Sequence, residues 1–181
     1  WIGMLYYFNF VQTEYFKEAE ASAKSDAMAK LAPRALWWFR WGAMLTFLTG
    51  AYLFHKIGAL GMSMPAIWMG ALAGTFMFLN VWLVIWPNQQ IVLGMKEGDG
   101  PSAAAKAGLA SRTNTLFSGP MLLGMLGSKH IAAISTQVGG SVTDTGLYAA
   151  LGLIVVLEIN ALFGGMGPMK SVLGVIHCSL A

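Results

Sequence analysis

The sequence predicts an all-α membrane protein, a polytopic transmembrane helical bundle of about five spans plus a truncated sixth. Hydrophobic residues make up 56% of the 181-residue chain and charged residues only 10%, whereas soluble domains carry about 25% charged residues. Several apolar stretches also reach the roughly 20 residues that a helix needs to cross a bilayer. None of them shows the alternation that is typical of membrane β-strands. We therefore expect residues 1–181 to form a single integral membrane domain.

The apolar stretches set the expected order of the elements. A polar stretch with alanines at helical spacing, residues 12–34, is predicted to form one amphipathic or solvent-facing helix that ends near Pro33. The chain starts at Trp1 and stops inside apolar sequence, so we expect it to be part of a longer chain. The spans are predicted at residues 1–11 (partial), 35–54, 65–86, 113–134, 145–163 and 171–181 (partial).

Prolines and a long polar segment mark the expected boundaries. Pro65 is a favourable first helical residue, and Pro87 is expected to end the third span. Residues 88–111 are predicted to form a polar loop. The fourth span is expected to be kinked or loosened at Pro120.

The distribution of basic residues predicts the orientation of the bundle. Nine of the 11 lysines and arginines lie in or beside the loops that follow spans one, three and five. Because cytoplasmic loops carry an excess of these residues, loops 12–34 and 88–111 are expected to be cytoplasmic. Tryptophans close to the predicted inner ends fit an interfacial belt. They are Trp37, Trp38, Trp41, Trp82 and Trp86.

The composition excludes some partners and limits others. The net charge of +3 is spread over the chain rather than forming a basic stripe, so nucleic acid is not an expected partner. Small residues let helices approach closely in lipid, and those at helical spacing in spans three and four are expected to mediate helix packing. They are Gly70, Gly74, Gly124 and Gly127.

Glu158 is the sharpest single feature of the spans. A carboxylate near the middle of a span costs about 2.5–3.5 kcal/mol, so it requires a partner on another helix. Asn80 and Arg40 have suitable chemistry, and the expected depth favours Asn80. Asn160 lies two residues on, about 200° around the helix, and cannot share the face of Glu158. A proton relay and a ligand contact are open alternatives, and a structural hydrogen bond is favoured.

Two histidines are candidates for a cofactor. His55 and His130 close spans two and four, and both are expected at the outer face. Two histidines on facing helices can ligate a b-type haem or a copper ion. The alternative is a pair of interfacial histidines that bind water and backbone. The sequence contains no CxxCH motif for covalent haem and no phosphate loop.

Several motifs resemble a known family. The stretch Trp1-Ile2-Gly3, the opening of span two (WWFRWGAMLTFLTG) and the segment SRTNTLFSGPMLLGMLGSKH resemble the N-terminal membrane domain of the PuuD-type, cytochrome c-linked urate oxidases. The motif residues are Trp1, Gly3, Arg112, Asn114 and Pro120. The resemblance implies a helical bundle in a bacterial inner membrane, coupled to the respiratory chain through cytochrome c. The present sequence contains no cytochrome c motif.

Three functions follow as expectations. The first is a non-catalytic membrane subunit that anchors or stabilises a larger respiratory or photosynthetic electron-transfer complex, with lipid and other membrane subunits as partners. The second is a urate oxidase-like oxidoreductase that passes electrons to cytochrome c, with haem or substrate near His55, His130 and Arg112. The third is a small proton-coupled transporter that uses Glu158.

Overall fold

Every regular element of the described chain is helical, which confirms the all-α prediction. The structure, a computed structural model, describes residues 1–58, 65–130 and 145–181. Three helices contain a π-helical section between α-helical ones. Their segments are Ile2–Tyr6, Tyr7–Gln12 and Thr13–Glu18 (together α1), Ala21–Asp26, Ala27–Leu31 and Ala32–Lys56 (α2), and Pro65–Leu79, Asn80–Ile85 and Trp86–Val92 (α3). The remaining elements are Gly100–His130 (α4), Thr145–Phe163 (α5), the short 3-10 turn Gly167–Lys170 and Val172–Leu180 (α6).

The predicted helix over residues 12–34 is wrong in its boundaries. The chain breaks at Ala19 and Glu20, whose backbone is extended, and α2 then continues through Pro33. Pro33 is the second residue of an α-helical section that follows a π-helical turn. In the π-helical turn before it, an N–H bonds to the carbonyl five residues earlier, as Ala32 does to Ala27, so the usual four-residue hydrogen-bond pattern is already interrupted where the proline has no N–H to donate. Residues 12–18 therefore extend the first helix, and residues 21–34 begin the second.

The predicted loop over residues 88–111 is also mostly helical. Helix α3 passes Pro87, which again follows a π-helical section, and ends at Val92. Gly94 then adopts a positive φ of 71° and donates its N–H to the Ile91 carbonyl, as a glycine does after a helix end. Helix α4 already begins at Gly100, because the sequence SAAAKAGLA favours a helix despite its low hydropathy. Only residues 93–99 form a connection.

Helix α4 is the centre of the bundle. It packs against α1, α3, α5 and α6, whereas α2 lies outside and contacts α1 and α3. Residues 112–118 of α4 are buried on every side of the helix. The core around them consists mainly of Leu5, Leu36, Phe39, Ala73, Met77, Val81, Ile85, Leu109, Phe117, Met121, Ile154 and Val175.

Glycines set the distance between α3 and α4. A Cβ atom on Gly124 would lie 2.5 Å from the Ala66 carbonyl oxygen and 2.9 Å from the Gly70 nitrogen. A Cβ atom on Gly70 would in turn meet the backbone nitrogen of Met125 at 2.9 Å. Gly74 faces Met121 and Met125 with ordinary contact distances, and Gly127 is buried. Gly70, Gly74 and Gly124 therefore pack two helices of the same chain against each other.

Pro120 leaves a backbone carbonyl that α6 uses. The proline has no N–H to donate to Leu116, four residues earlier. The Ser179 hydroxyl donates to this Leu116 carbonyl over 2.8 Å. The approach requires Gly119, because a Cβ atom there would stand 2.5 Å from the Ser179 oxygen. The helix continues through Pro120, and α6 is docked at that point.

Two helices of the described chain are long and apolar enough to cross a membrane. They are Ala66–Val92, with a mean hydropathy of 1.7, and Thr145–Phe163, with a mean hydropathy of 2.0. The boundaries of the second agree with the predicted fifth span. The arrangement with about five spans plus a truncated sixth stays a prediction. The sequence also predicts outer connections at residues 55–63 and 135–144, of which only residues 55–58 belong to the described part of the chain.

Candidate functional site

The buried polar side chains concentrate on the middle of α4. Hydroxyl groups there bond back to their own helix, as Thr113 does to the Leu109 carbonyl at 3.1 Å and Thr115 to the Ser111 carbonyl at 3.0 Å. Such bonds satisfy a hydroxyl without a partner from another element. Asn114 and Arg112 are buried as well, but Asn114 bonds to groups of α3 rather than to its own helix, and the Arg112 Nη1 atom has no partner among the described residues. They define two distinct polar sites.

The first site is a hydrogen-bonded triad of Asn80, Asn114 and Glu158 on α3, α4 and α5. The Asn80 amide nitrogen donates to the Asn114 side-chain oxygen and to the Glu158 Oε2 atom, each over 3.0 Å. Asn114 donates over 2.9 Å to the Met77 carbonyl, just before the π-helical section that begins at Asn80. All three side chains are at least 92% buried. The triad thus joins three helices around one amide group.

The predicted pairing of Glu158 with Asn80 is present in the structure. The other candidate partners lie elsewhere. The Arg40 guanidinium stacks 3.3 Å from the centre of the Trp86 ring, and Asn160 donates to the Gly165 carbonyl beyond the end of α5 over 3.1 Å. Asn114 is not among the partners that the sequence predicts for Glu158. Its signal was a second amide in the apolar part of the fourth span.

A second polar contact joins α1 to α4. The Tyr6 hydroxyl lies 2.8 Å from the Ser118 hydroxyl, and the Asn9 amide donates over 2.8 Å to the Ser111 hydroxyl. Asn9 is itself buried and also donates to the Leu5 carbonyl. These bonds fix the rotation of α1 against α4, and they bring the polar end of α1 beside Arg112.

The second site is a cavity of about 340 Å³ beside Arg112. Its walls come from α1, α2, α3, α4 and the turn before α6. Aromatic and aliphatic side chains form much of the lining, among them Phe8, Phe39 and Ile85. Its polar lining includes Asn9, Gln12, Lys17, Gln89, Arg112 and Lys170. A cavity with apolar walls and a few convergent polar groups is the usual form of a small-molecule site.

Arg112 is buried against this cavity without a full set of partners. Only 5% of its surface is exposed, and its Nη1 atom is buried with no hydrogen-bond partner in the described part of the chain. Burial lowers the pKa of the Arg112 guanidinium, and the Glu14 carboxylate opposes that shift. An arginine nevertheless remains protonated in a protein. The site therefore holds a positive charge whose hydrogen-bonding capacity is not used.

The larger cavity is apolar and lies apart from Arg112. It encloses about 580 Å³ and is lined by residues of α2, α3 and α4 such as Phe47, Trp68 and Leu122. Glu158 lines neither this cavity nor the one beside Arg112. The carboxylate is thus held in the packed interior. Proton relay and ligand contact by Glu158 stay predictions.

The three histidines are exposed and lie on three different helices. His55 is exposed at the end of α2, His130 at the end of α4 and His177 on α6. Helix α2 packs on α1 and α3, with no extensive contact to α4. Among the residues that the structure describes, no group of three histidine, cysteine or acidic side chains is placed to hold a metal. Ligation of haem or copper by His55 and His130 stays a prediction.

Part of the chain matches a known protein family. Residues 61–143 match the family described as urate oxidase N-terminal. The match confirms the resemblance to urate oxidase-like N-terminal domains. It covers α3 and α4, and so includes Asn80, Arg112, Asn114 and Pro120 but not Glu158. Neither the curated proteins nor the solved structures contain a match to the chain.

The motif residues of the resemblance have separate surroundings. Asn114 belongs to the triad, Arg112 to the smaller cavity, and Pro120 to the docking point of α6. Trp1 packs on the core beside Gly42, and its ring nitrogen is buried without a partner among the residues that the structure describes. A Cβ atom on Gly3 would meet open space. The motif on α4 therefore carries the polar sites, and the one in α1 does not.

Proposed function

We propose that the chain is a polytopic membrane bundle of about five spans plus a sixth, and that it serves as a non-catalytic subunit of a larger electron-transfer complex. The observation that carries the proposal is the inverted polarity of the bundle. Its buried centre holds Asn80, Asn114 and Glu158, whereas large apolar side chains are exposed along α2, α4 and α5. The exposed residues include Leu45, Leu48, Tyr52, Leu53, Leu122, Leu123, Leu126, Leu153, Val156, Ile159 and Phe163.

Lipid accounts for this surface better than water does. Soluble monomers rarely expose contiguous apolar patches larger than a few hundred Å². In a bilayer the same side chains face hydrocarbon at no cost, and polar groups must find partners inside the protein. The triad provides partners for the Asn80 amide nitrogen, for the Asn114 side chain and for the Glu158 Oε2 atom, while the Asn80 Oδ1 atom is buried with no partner among the described residues. The excess of basic residues on one side supports an orientation with residues 12–34 and 88–111 in the cytoplasm of a bacterial cell.

A role as an anchor or stabiliser is supported by what the polar groups do. The triad and the contacts of Asn9 and Tyr6 tie helices of the chain together, and the glycines of α3 and α4 are used for internal packing. The apolar outer faces of α2 and α5 remain for lipid and neighbouring subunits. The exposed Trp37 and Trp38 lie near the proposed inner interface.

Purification from native membranes tests the subunit role. The full chain carries a tag, is extracted in a mild detergent, and is separated by size with absorbance recorded in the haem region. We expect the chain to elute with a much larger, haem-containing assembly, and carbonate-washed membranes to retain it. Release of the chain by carbonate contradicts membrane insertion. Elution as a free protein in every mild detergent rejects the subunit role.

The family match favours a second candidate, a urate oxidase-like oxidoreductase that passes electrons to cytochrome c. Residues 61–143 carry the match, and Arg112 within them lines the smaller cavity. Membranes that contain the chain are supplied with urate and oxidised cytochrome c, and the loss of urate is followed with cytochrome reduction. Urate-dependent reduction that disappears with the chain favours this candidate. No urate loss in the complete membranes rejects it.

Absorption spectroscopy tests the prediction that His55 and His130 ligate a haem. Purified protein is examined for a Soret band, and the variants His55→Ala and His130→Ala are examined beside it. A band that both variants lose assigns the two histidines as haem ligands, and it contradicts the non-catalytic role. A colourless protein removes the haem prediction.

A further inference from the structure

The cavity beside Arg112 holds more positive charge than the chain neutralises. Lys17, Arg112 and Lys170 line it. Lys17 forms an ion pair with Glu14, whose carboxylate oxygen lies 2.7 Å from the lysine nitrogen. In the part of the chain that the structure describes, neither Arg112 nor Lys170 forms an ion pair. The cavity therefore has an excess of about two positive charges.

Water cannot hydrate the Arg112 guanidinium as it hydrates a lysine on the surface. Its side chain is 95% buried, since 5% of its surface is exposed. A buried charge is costly unless a counter-charge and hydrogen bonds compensate it. The five N–H donors of a guanidinium form a rigid fork that suits carboxylate and phosphate oxygens. An anion in the cavity supplies the hydrogen bonds that the guanidinium lacks and adds to the counter-charge of Glu14.

The donors reach the cavity from several directions. Arg112 lies on α4, Lys170 on the turn before α6, and Gln89 on α3. A single planar carboxylate is usually taken by one arginine fork. Donors on separate walls favour an anion with acceptors on all sides, which is the geometry of a phosphate group. Its charge of about one to two also matches the excess.

A second buried atom without a partner indicates a further group of the ligand. The Gln12 side-chain oxygen is buried and has no hydrogen-bond partner within residues 1–58, 65–130 and 145–181, and Gln12 lines the same cavity. This oxygen accepts a hydrogen bond, so it fits a hydroxyl group of the ligand. Protonated phosphate and the glycerol headgroup of an anionic lipid both carry one. The apolar walls around Phe8 and Phe39 suit the hydrocarbon next to a lipid headgroup.

We propose that this cavity binds a phosphate group, with Arg112 as its main ligand and Lys170 as the second. The group belongs either to an anionic phospholipid of the cytoplasmic leaflet or to a soluble phosphate. Basic pockets between membrane helices on that side bind such headgroups. The proposal is independent of whether the chain is an anchoring subunit or an oxidoreductase.

The test uses the purified full chain in a neutral detergent. Phosphatidylglycerol, phosphatidylcholine and inorganic phosphate are added separately at equal ionic strength, and the thermal midpoint and the bound phosphorus are measured. We expect stabilisation by phosphatidylglycerol, by inorganic phosphate or by both. Stabilisation by phosphatidylglycerol alone assigns a lipid headgroup, and stabilisation by inorganic phosphate assigns a soluble ligand also. Equal effects of the two lipids without a phosphate effect, or no effect at all, overturn the proposal.

Matched variants locate the site. Arg112→Gln and Lys170→Gln are expected to weaken binding at least about tenfold, as the loss of a charged hydrogen bond does. Lys106→Gln removes the same charge from an exposed position of α4 outside the cavity lining, and is expected to bind as the parent does. Lys170 is exposed, so its variant keeps the test valid should Arg112→Gln not fold. Equal loss in all three variants contradicts the site.

Urate is the control that distinguishes the phosphate site from the oxidoreductase candidate. If urate raises the thermal midpoint through Arg112 and phosphate compounds do not, the phosphate assignment is overturned and the oxidoreductase gains support. If phosphate binds and urate does not, the phosphate site stands whatever the outcome of the urate oxidation assay. The failures of the two proposals are thereby distinguishable.

Discussion

Asn80 is the residue on which the interior triad depends. One amide group donates to Glu158 and to Asn114, each at 3.0 Å. Asn80→Ala leaves two buried acceptors without a donor, and each unsatisfied group costs about 1–3 kcal/mol. We expect the thermal midpoint of the purified chain to fall clearly. Asn88→Ala is the control, because Asn88 on the same helix donates only to the Val84 carbonyl. Equal losses in both variants contradict a special role of the triad.

Two variants of Glu158 test whether its negative charge is required or only its hydrogen-bonding oxygen. Glu158→Gln keeps an oxygen acceptor for the Asn80 amide and nearly the same volume. If the contact is a structural hydrogen bond, this variant keeps its stability within about 0.5 kcal/mol, while Glu158→Leu strands the Asn80 donor and loses about 1–3 kcal/mol. Thermal unfolding of both variants in one detergent decides between them. A large loss in the glutamine variant shows that the carboxylate itself is required.

At the scale of elements, the approach of α3 to α4 is limited by backbone rather than by side chains. An added methyl on Gly124 would stand 2.5 Å from the Ala66 carbonyl oxygen. Gly124→Ala therefore forces the two helices apart, and overpacking of this kind costs about 1–3 kcal/mol. Gly152→Ala on α5 meets open space and is expected to stabilise slightly through helix propensity. Two variants with the same midpoint contradict the close contact.

The joint between α4 and α6 is open to a double-mutant cycle. Ser179→Ala removes the donor to the Leu116 carbonyl, which Pro120 leaves free, and is expected to cost about 1 kcal/mol. Pro120→Ala provides a backbone N–H for the same carbonyl. In that background the loss of the Ser179 hydroxyl has a smaller effect, with a coupling of at least about 0.5 kcal/mol. Strictly additive losses show that the two residues do not share this carbonyl.

The sequence correctly predicts the elements whose burial is visible in their amino-acid composition. The bounds of α5 follow from an apolar run between polar neighbours, and the pairing of Asn80 with Glu158 follows from depth and chemistry alone. The first turns of α4 were predicted as a loop because an alanine-rich helix lacks the hydropathy of a span. Pro33 and Pro87 gave wrong ends, since π-helical turns precede them and no residue pattern reveals such turns. The cavity beside Arg112 joins five segments, so it required the tertiary structure.

For the whole molecule, the spread of charge and apolar surface gives the proposed orientation. At one end of the bundle, the connection of residues 93–99 and the first turns of α4 carry Lys96 and Lys106. At the other end, the C-terminus of α2 carries Lys56. The cavity of Arg112, Lys17 and Lys170 opens among the segments of the basic end. In this orientation that cavity lies at the cytoplasmic leaflet, where anionic lipids and soluble phosphates are both available.

Cysteine labelling tests this orientation. Cys178 is the one cysteine in the sequence, so Cys178→Ser gives a background without thiols. Ser102→Cys at the start of α4 is expected to react with an impermeant maleimide only from the cytoplasmic side, because a charged reagent cannot cross the bilayer. Lys56→Cys, exposed at the end of α2, is expected to react only from the outside. Reversed labelling of the pair overturns the orientation and moves the cavity to the outer leaflet. Labelling of both positions from one side contradicts a membrane-crossing α3, the helix that lies between them.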